Sequence, residues 1–216
     1  MRKPKWSKDF DGNQSDYTYD AIDRLIKVTT PFVGSSKSIT KNYYDLNGNQ
    51  TDVRTSKNSD VTLESNLTSW SSENYVYNFR GQPLTVYTGA RNSIGVLSGA
   101  EYVENEYDAA GNLTKQYTGL TSALNRNSTN NSITGTGGAL TSYVYNSYGH
   151  MTDMFLPGDS ASSVHATYVY HLNGMLDSTT DRNGKTVNYG YNGYNLTGKA
   201  VYGVESIGFE YTIQDC

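Results

Sequence analysis

Large side chains along this chain fall on alternate positions rather than at helical spacing. The triplets "YTY" (17–19), "YVY" (75–77, 143–145 and 168–170) and "YGY" (189–191) each set two tyrosines at i and i+2. In an extended strand that spacing puts both rings on one face. The helix formers Ala, Leu, Glu and Lys are scarce, and no 3.6-residue period is sustained. After the second aromatic comes Asp or Asn, then Gly, then a fresh run that often opens with Leu or Met. Asp and Asn open turns by hydrogen-bonding their own downstream backbone. A Gly four residues after the second Tyr permits the positive φ of a tight hairpin or bulged turn. The pattern predicts strand, turn, strand: an all-β chain of successive antiparallel β-hairpins.

The unit recurs. It reads "YTYDAIDRL" (17–25), "NYYDLNGNQ" (42–50), "YVYNFRGQPL" (75–84), "NEYDAAGNL" (105–113), "YVYNSYGHM" (143–151), "YVYHLNGML" (168–176) and "YGYNGYNL" (189–196). The shared pattern is Y-x-Y-[DN]-x-x-G-x-[LM]. Its defining positions begin with Tyr17, Tyr19 and Asp20, then Tyr44, Asp45 and Gly48, then Tyr75, Tyr77 and Gly81. They continue with Tyr107, Asp108 and Gly111, then Tyr143, Tyr145 and Gly149, then Tyr168, Tyr170 and Gly174, and end with Tyr189 and Tyr191. Anchor tyrosines are 25, 33, 30, 38, 25 and 21 residues apart, and a truncated eighth copy starts at Phe209 with Tyr211 as anchor. Several copies are degenerate. Asp23 stands for the first Gly, Asn42 and Asn105 for a first Tyr, Gln50 and Pro83 for the Leu, and the copy at Tyr191 is one residue short.

A weaker turn signal lies between the units. "DRNGKTVNYGY" (181–191) and "DFDGNQSDYTY" (9–19) carry Asp, Gly and two tyrosines at equal offsets, while Pro31 with Gly34 and Pro157 with Gly158 mark two more turns. Longer intervals hold loop-like residues. "TSALNRNSTNNSITGTGG" (121–138) is nearly free of large apolar side chains, so a long, mobile loop is expected there.

Composition agrees: 20 Tyr, 21 Gly, only 4 Pro and 18% charged residues in 216 suit a turn-rich β protein. A net charge of −4 and no basic run beyond "RKPK" (2–5) argue against a nucleic-acid partner. The single Cys216 leaves no intramolecular disulfide and no Cys/His metal pattern. No apolar run approaches the roughly 18 residues of a membrane helix, and no apolar segment follows the basic N-terminus as in a signal peptide.

Candidate chemistry is sparse. Asp9, Asp11 and Asn13 resemble the alternating oxygens of a calcium loop, but Gln14 sits where that loop needs Gly. The offsets shared with Asp181 and Gly184 explain Asp9 and Gly12 as a turn, so Asp9, Asp11 and Asn13 remain only weak metal candidates. His150, His165 and His171 each have a turn or strand role, and no G-x-S-x-G elbow, phosphate loop or dinucleotide fingerprint occurs. Asp20, Asp45 and Asp108 are explained as turn openers, without the paired roles of glycosidase carboxylates. No enzyme and no cofactor are expected. Tyr beside Asn and Asp can stack on and hydrogen-bond sugars, so a carbohydrate-binding module is the alternative, though a packing ladder between neighbouring hairpins is the simpler use. Sequons such as those at Asn66 and Asn112 arise by chance in so Asn- and Thr-rich a chain.

Seven copies in register resemble the YD repeat of the rearrangement-hotspot (Rhs) family. That family includes bacterial polymorphic toxins, wall-associated proteins, shell-forming subunits of Tc toxin complexes and teneurin barrels. The resemblance runs from about Asp9 to Tyr211. It implies a curled strip of hairpins, part of a spiral hollow shell that encapsulates or displays a toxin domain, and a secreted or cell-surface location. The self-cleaving Asp-Pro segment of bacterial members has no counterpart, since Pro4, Pro31, Pro83 and Pro157 follow Lys, Thr, Gln and Leu. Residues 1–8 are expected as an N-terminal extension and 9–216 as one repeat domain of about seven copies and a truncated eighth: a piece of a longer shell, a truncated reading frame, or a short protein that assembles with others. Its expected partners are further YD repeats or a second copy of the chain through exposed strand edges, with a toxin cargo or glycans beyond them.

Overall fold

A computed structural model describes residues 3–31, 37–56, 69–92, 94–163, 165–201 and 207–208. Gly34, Asn66, the eighth copy from Phe209 and Cys216 lie outside the described residues. All regular structure among the described residues is antiparallel β. The strands are β1 (Trp6–Lys8), β2 (Gln14–Tyr19), β3 (Leu25–Pro31), β4 (Lys37–Tyr44), β5 (Gln50–Ser56), β6 (Ser69–Tyr77), β7 (Pro83–Asn92) and β8 (Leu97–Tyr107). They continue as β9 (Leu113–Leu120), β10 (Ala139–Tyr145), β11 (Met151–Phe155), β12 (Ala166–Tyr170), β13 (Leu176–Thr180), β14 (Thr186–Asn192), β15 (Asn195–Val201) and β16 (Ile207–Gly208). No helix among the described residues is long and apolar enough to cross a membrane.

The chain forms two compact units, one of Met1–Glu104 with Thr118–Gly138 and one of Asn105–Tyr117 with Ala139–Cys216. Within each, strands neighbouring in sequence are neighbours in the sheet, with no crossover. Strand β1 falls inside the stretch set aside as an N-terminal extension, and pairs Trp6 with Asp16 of β2.

One turn is used throughout. At Asp9, Asp20, Asp45, Asn78, Asn92, Asp108, Asn146, His171 and Asp181 the backbone N–H donates to the carbonyl four residues on. The N–H three residues on donates back to the carbonyl of the opening residue. That pair of bonds defines a type I turn closed by a residue of positive φ, the bulged three-residue hairpin loop. The repeat glycines Gly48, Gly81, Gly111, Gly149 and Gly174 occupy that last position with φ between 75° and 99°. The strands then slip by one: register shifts fall at Tyr19, Tyr44, Tyr77, Tyr145, Tyr170 and Tyr191, the anchors themselves. The bulge explains why the anchor is followed so regularly by Asp or Asn and Gly. The weaker signals at Asp9 and Asp181 make the same turn at the other ends of strands.

One copy makes this turn without glycine, and another replaces it. Asp23 fills the glycine slot yet adopts φ 65°, a conformation costly for a side chain with Cβ. The shortened copy pairs Asn192 with Asn195 across a two-residue loop, with Gly193 at φ 61° and Tyr194 exposed.

Few apolar side chains are buried among the described residues. Ile39, Leu84 and Leu120 are buried in the first unit, and Tyr117 and Ala166 in the second. The middle residues of the Tyr-x-Tyr triplets, Val76, Val144 and Val169, are about half exposed at 49%, 46% and 50%. The paired tyrosines are half-buried on the opposite face. Ladder hydrogen bonds and side-chain seams therefore carry much of what a packed core carries elsewhere.

The turn geometry fixes a pair of opposite outcomes. Gly48→Ala forces a Cβ into φ 91° and is expected to cost about 1 kcal/mol, whereas Asp23→Gly relieves the strain and is expected to stabilise by about 0.5–1 kcal/mol. Urea midpoints of the two variants check this, and both shifting in the same direction contradicts the shared-turn account.

Candidate functional site

The tyrosine-lined seams between hairpins are the most repeated chemical feature of the chain. In the first unit the β3–β4 ladder ends at Lys27↔Lys41 and the β5–β6 ladder at Asp52↔Asn74. In the second, the β13–β14 ladder ends at Ser178↔Asn188. Two residues beyond each end, next to the bulge, lies the first residue of the earlier hairpin's return strand. An anchor phenol crosses the gap: the Tyr44 hydroxyl donates to Leu25 O at 2.9 Å, Tyr77 to Gln50 O at 2.7 Å and Tyr191 to Leu176 O at 2.9 Å. Tyr145 likewise donates to Leu113 O at 2.9 Å. The acceptor is always the first residue of the preceding hairpin's return strand. Degenerate Asn42 adds its amide to Leu25 O at 2.9 Å, so it donates in the slot where other copies carry Tyr. Burial lifts the phenols above their ordinary range, Tyr75 to about 12 with a further push from Glu73, and Tyr77, Tyr145 and Tyr170 in the same direction.

In two copies the residue after the turn's positive-φ position packs against the next hairpin's anchor ring. Arg24 lies over the Tyr44 ring at 4.7 Å and donates to Asp45 O at 3.0 Å. His150 stacks on Tyr170 at 4.7 Å, and a Cβ on Gly174 would meet its Cε1 at 3.0 Å. Glycine at that turn therefore answers two demands, positive φ and room for the ring below.

The openers are caps. Asp45 Oδ1 accepts the N–H of Asn47 at 2.9 Å and of Asn49 at 2.8 Å, and Oδ2 accepts the Asn49 amide at 2.9 Å. That side-chain bond to Asn49 is the main reason the Asp45 carboxyl sits below its usual range. Asp20 is lowered by the backbone and then the guanidinium of Arg24, and Asp108 by Asn112 against an opposing effect of burial. Asp9 behaves identically: Oδ1 takes Asp11 and Asn13 N–H at 3.0 and 2.8 Å, and Oδ2 takes the Asn13 amide at 2.9 Å. The calcium-like trio is thus one more capped turn, with the Asp9 carboxylate engaged internally. Among the described residues, no three His, Cys, Asp or Glu side chains gather as a metal cluster. His171 cannot cap as Asp does, and Asn173 Oδ1 accepts Met175 N–H at 3.1 Å instead.

Sequence reading missed the polar face of β5–β8. Asp52, Ser72, Asn74, Thr85 and Glu104 are buried there. Asp52 Oδ2 meets Arg54 at 2.7 Å, Ser72 donates to Asp52 Oδ1 at 2.9 Å, and Arg91 bridges Ser72 and Asn74 at 2.9 and 2.6 Å. Glu104 is fully buried; its Oε2 accepts Thr85 at 3.0 Å and both Nε and Nη2 of Arg126, while Oε1 has no partner among the described residues. Arg126 belongs to the 121–138 insert and also donates to Leu84 O at 2.7 Å. The insert is therefore not the free loop its composition suggests. Arg126 bridges Ile133, Asn127 and Asn131 close a turn, and the guanidinium fastens the segment to the sheet. Each of these two carboxylates faces a guanidinium, an arrangement that holds strands together and offers no paired acid and base.

The three histidines lie apart. His150 and His171 flank seams, His171 edge-on to Tyr191 at 6.1 Å. His165 contacts Asp153 and the Ser163 carbonyl, each at 2.9 Å. The Ser163 hydroxyl instead donates to Ser160 O, so these residues form no nucleophilic triad.

No family model matches the sequence, and no curated protein does. Solved structures do match. The chain superposes over 97% of its length on a Photorhabdus luminescens Tc holotoxin pore carrying a TccC3 substitution, with TM-score 0.57 and 14% identity. The TcdB2–TccC3–Cdc42 crystal structure matches over 97% with TM-score 0.56 and 14% identity. TcdB2–TccC3 without its hypervariable C-terminal region matches over 97% with TM-score 0.56 and 15% identity. In each case the chain spans 11% of the matched chain. At this identity the likeness is one of fold: an antiparallel hairpin strip like a stretch of the Tc toxin proteins.

Two outcomes follow from the site. Arg126→Met strands a buried carboxylate, so it is expected to cost about 3 kcal/mol or more by urea unfolding, and a loss below about 1 kcal/mol contradicts the fastening. Phenols raised above the ~10 of free tyrosine contribute stability that is complete below pH 10 and lost as pH climbs through the folded value, about 12 for Tyr75. Ultraviolet absorbance is expected to show a late-ionising set of tyrosines whose titration coincides with loss of the β circular-dichroism signal.

Proposed function

We propose that the chain is a non-enzymatic structural segment of an Rhs-type β-shell, a wall that encloses or displays a toxin domain. The observation that carries this reading is the match of nearly the whole chain to about a tenth of much longer Tc toxin chains. A segment of a repeating wall matches in that way. The seams supply the mechanism: at four of them one hairpin offers a carbonyl that the next hairpin's phenol satisfies, so units add in series without a central core. Partners are then further repeats at the strand edges and a cargo within the wall, and the location is outside the cell that makes it.

Electron cryo-microscopy of the protein translated from the complete reading frame is expected to place these hairpins in the wall of a hollow particle. A solid particle, or hairpins with no enclosed volume, overturns the reading. Saturable binding on a glycan array that disappears in Tyr189→Ala and Tyr191→Ala would replace it with the carbohydrate-binding alternative.

A further inference from the structure

The seam between β11 and β12 is short. Its ladder consists of Asp153↔Thr167 and Met154↔Ala166, two pairs, whereas β3–β4 and β5–β6 each hold five. The connection across it, residues 156–165, is fastened by side chains instead. The ring of His165 lies on Phe155 of β11 with centroids 4.1 Å apart. Its Nε2 is 2.9 Å from Asp153 Oδ1 and its Nδ1 is 2.9 Å from the Ser163 carbonyl. Both neighbours are acceptors without a proton to give. A neutral imidazole carries one N–H and satisfies one of them, whereas the imidazolium carries two and satisfies both.

We propose that His165 is a proton-operated latch on this seam: charged, it holds Asp153 of β11 through one nitrogen and the Ser163 carbonyl of its own connection through the other, and neutral, it releases one of the two. The charged groups around it favour the closed form. Asp153 faces it from β11, with its other oxygen taken by Thr152 at 2.7 Å. Asp159 of the connection adds negative charge, and is itself held by Arg182 of the β13–β14 turn at 2.6 Å and by the Leu156 N–H at 2.9 Å. The Ser163 carbonyl first, and then Asp153, raise the His165 pKa above the ordinary imidazole value. A raised value in the folded state means the latch contributes fully below about pH 6.5 and is lost as pH rises through the folded value. The inference goes beyond the shell reading and does not depend on it. It assigns this chain a place where neighbouring hairpins loosen as pH rises above the ordinary imidazole range.

Nuclear magnetic resonance titration of the three histidines and amide exchange of residues 156–167, with protection factors taken across roughly pH 5.5 to 9, test it together. His165 is expected to titrate above 6.5. Protection of the 166–167 amides is expected to fall roughly five- to tenfold through that midpoint, the effect of one part-exposed charge-assisted bond. In His165→Gln protection is expected to be low and flat with pH, and in Asp153→Asn the His165 midpoint is expected to drop. Unchanged protection across the range, or the same pH dependence in His165→Gln, overturns the latch. A His165 midpoint at or below 6.5 does so too.

Discussion

A backbone carbonyl that a bulge removes from its ladder must find a donor, or cost the free energy of an unmet buried hydrogen bond. The rest of the described architecture depends on that constraint. In four hairpins the first residue of the return strand, just past the bulge, has its carbonyl engaged by the anchor phenol of the following hairpin. Each such bond contributes only about 1 kcal/mol, yet it recurs at the same place in the unit. The repeat is thus a rule for joining as well as for folding: turn geometry creates the need, and the tyrosine two residues from its partner meets it.

Around this rule the chain economises on apolar burial. Few large aliphatic side chains are buried in either unit, while Asp52, Ser72, Asn74 and Glu104 are buried on a strand face. Polar groups of this kind stabilise only when paired, and nearly all their hydrogen-bonding atoms are. Glu104 Oε1 is the exception, a buried acceptor whose partner is not among the described side chains. Where little apolar surface is buried to set the register, directional bonds of this sort hold the strands in one alignment.

What the sequence made legible was local. Tyr at i and i+2, Asp or Asn next and Gly three residues later specify a strand, a cap and a positive-φ position within nine residues, and even Asp23 obeys the geometry its neighbours impose. What escaped was long-range. Arg126 meets Glu104 and Leu84 at separations of 22 and 42 residues, so an Asn- and Thr-rich insert that reads as free loop is fixed by one guanidinium. His165 and Asp153 are 12 residues apart across a connection with no periodic signal. Neither contact leaves a pattern in composition or spacing, because a single pair in three dimensions needs no repetition along the chain.

The direction of the seam bonds has a consequence for synthesis. Each of these four phenols reaches backwards, to a carbonyl 15 to 32 residues nearer the N-terminus. A hairpin leaving the ribosome therefore finds its docking acceptor already presented by the one made before it. No part of that step waits for sequence still to be translated. Assembly can proceed as elongation does, one unit at a time, each finished edge serving as the template for the next, and the chain is spared the search among distant strands that slows most sheets of this size.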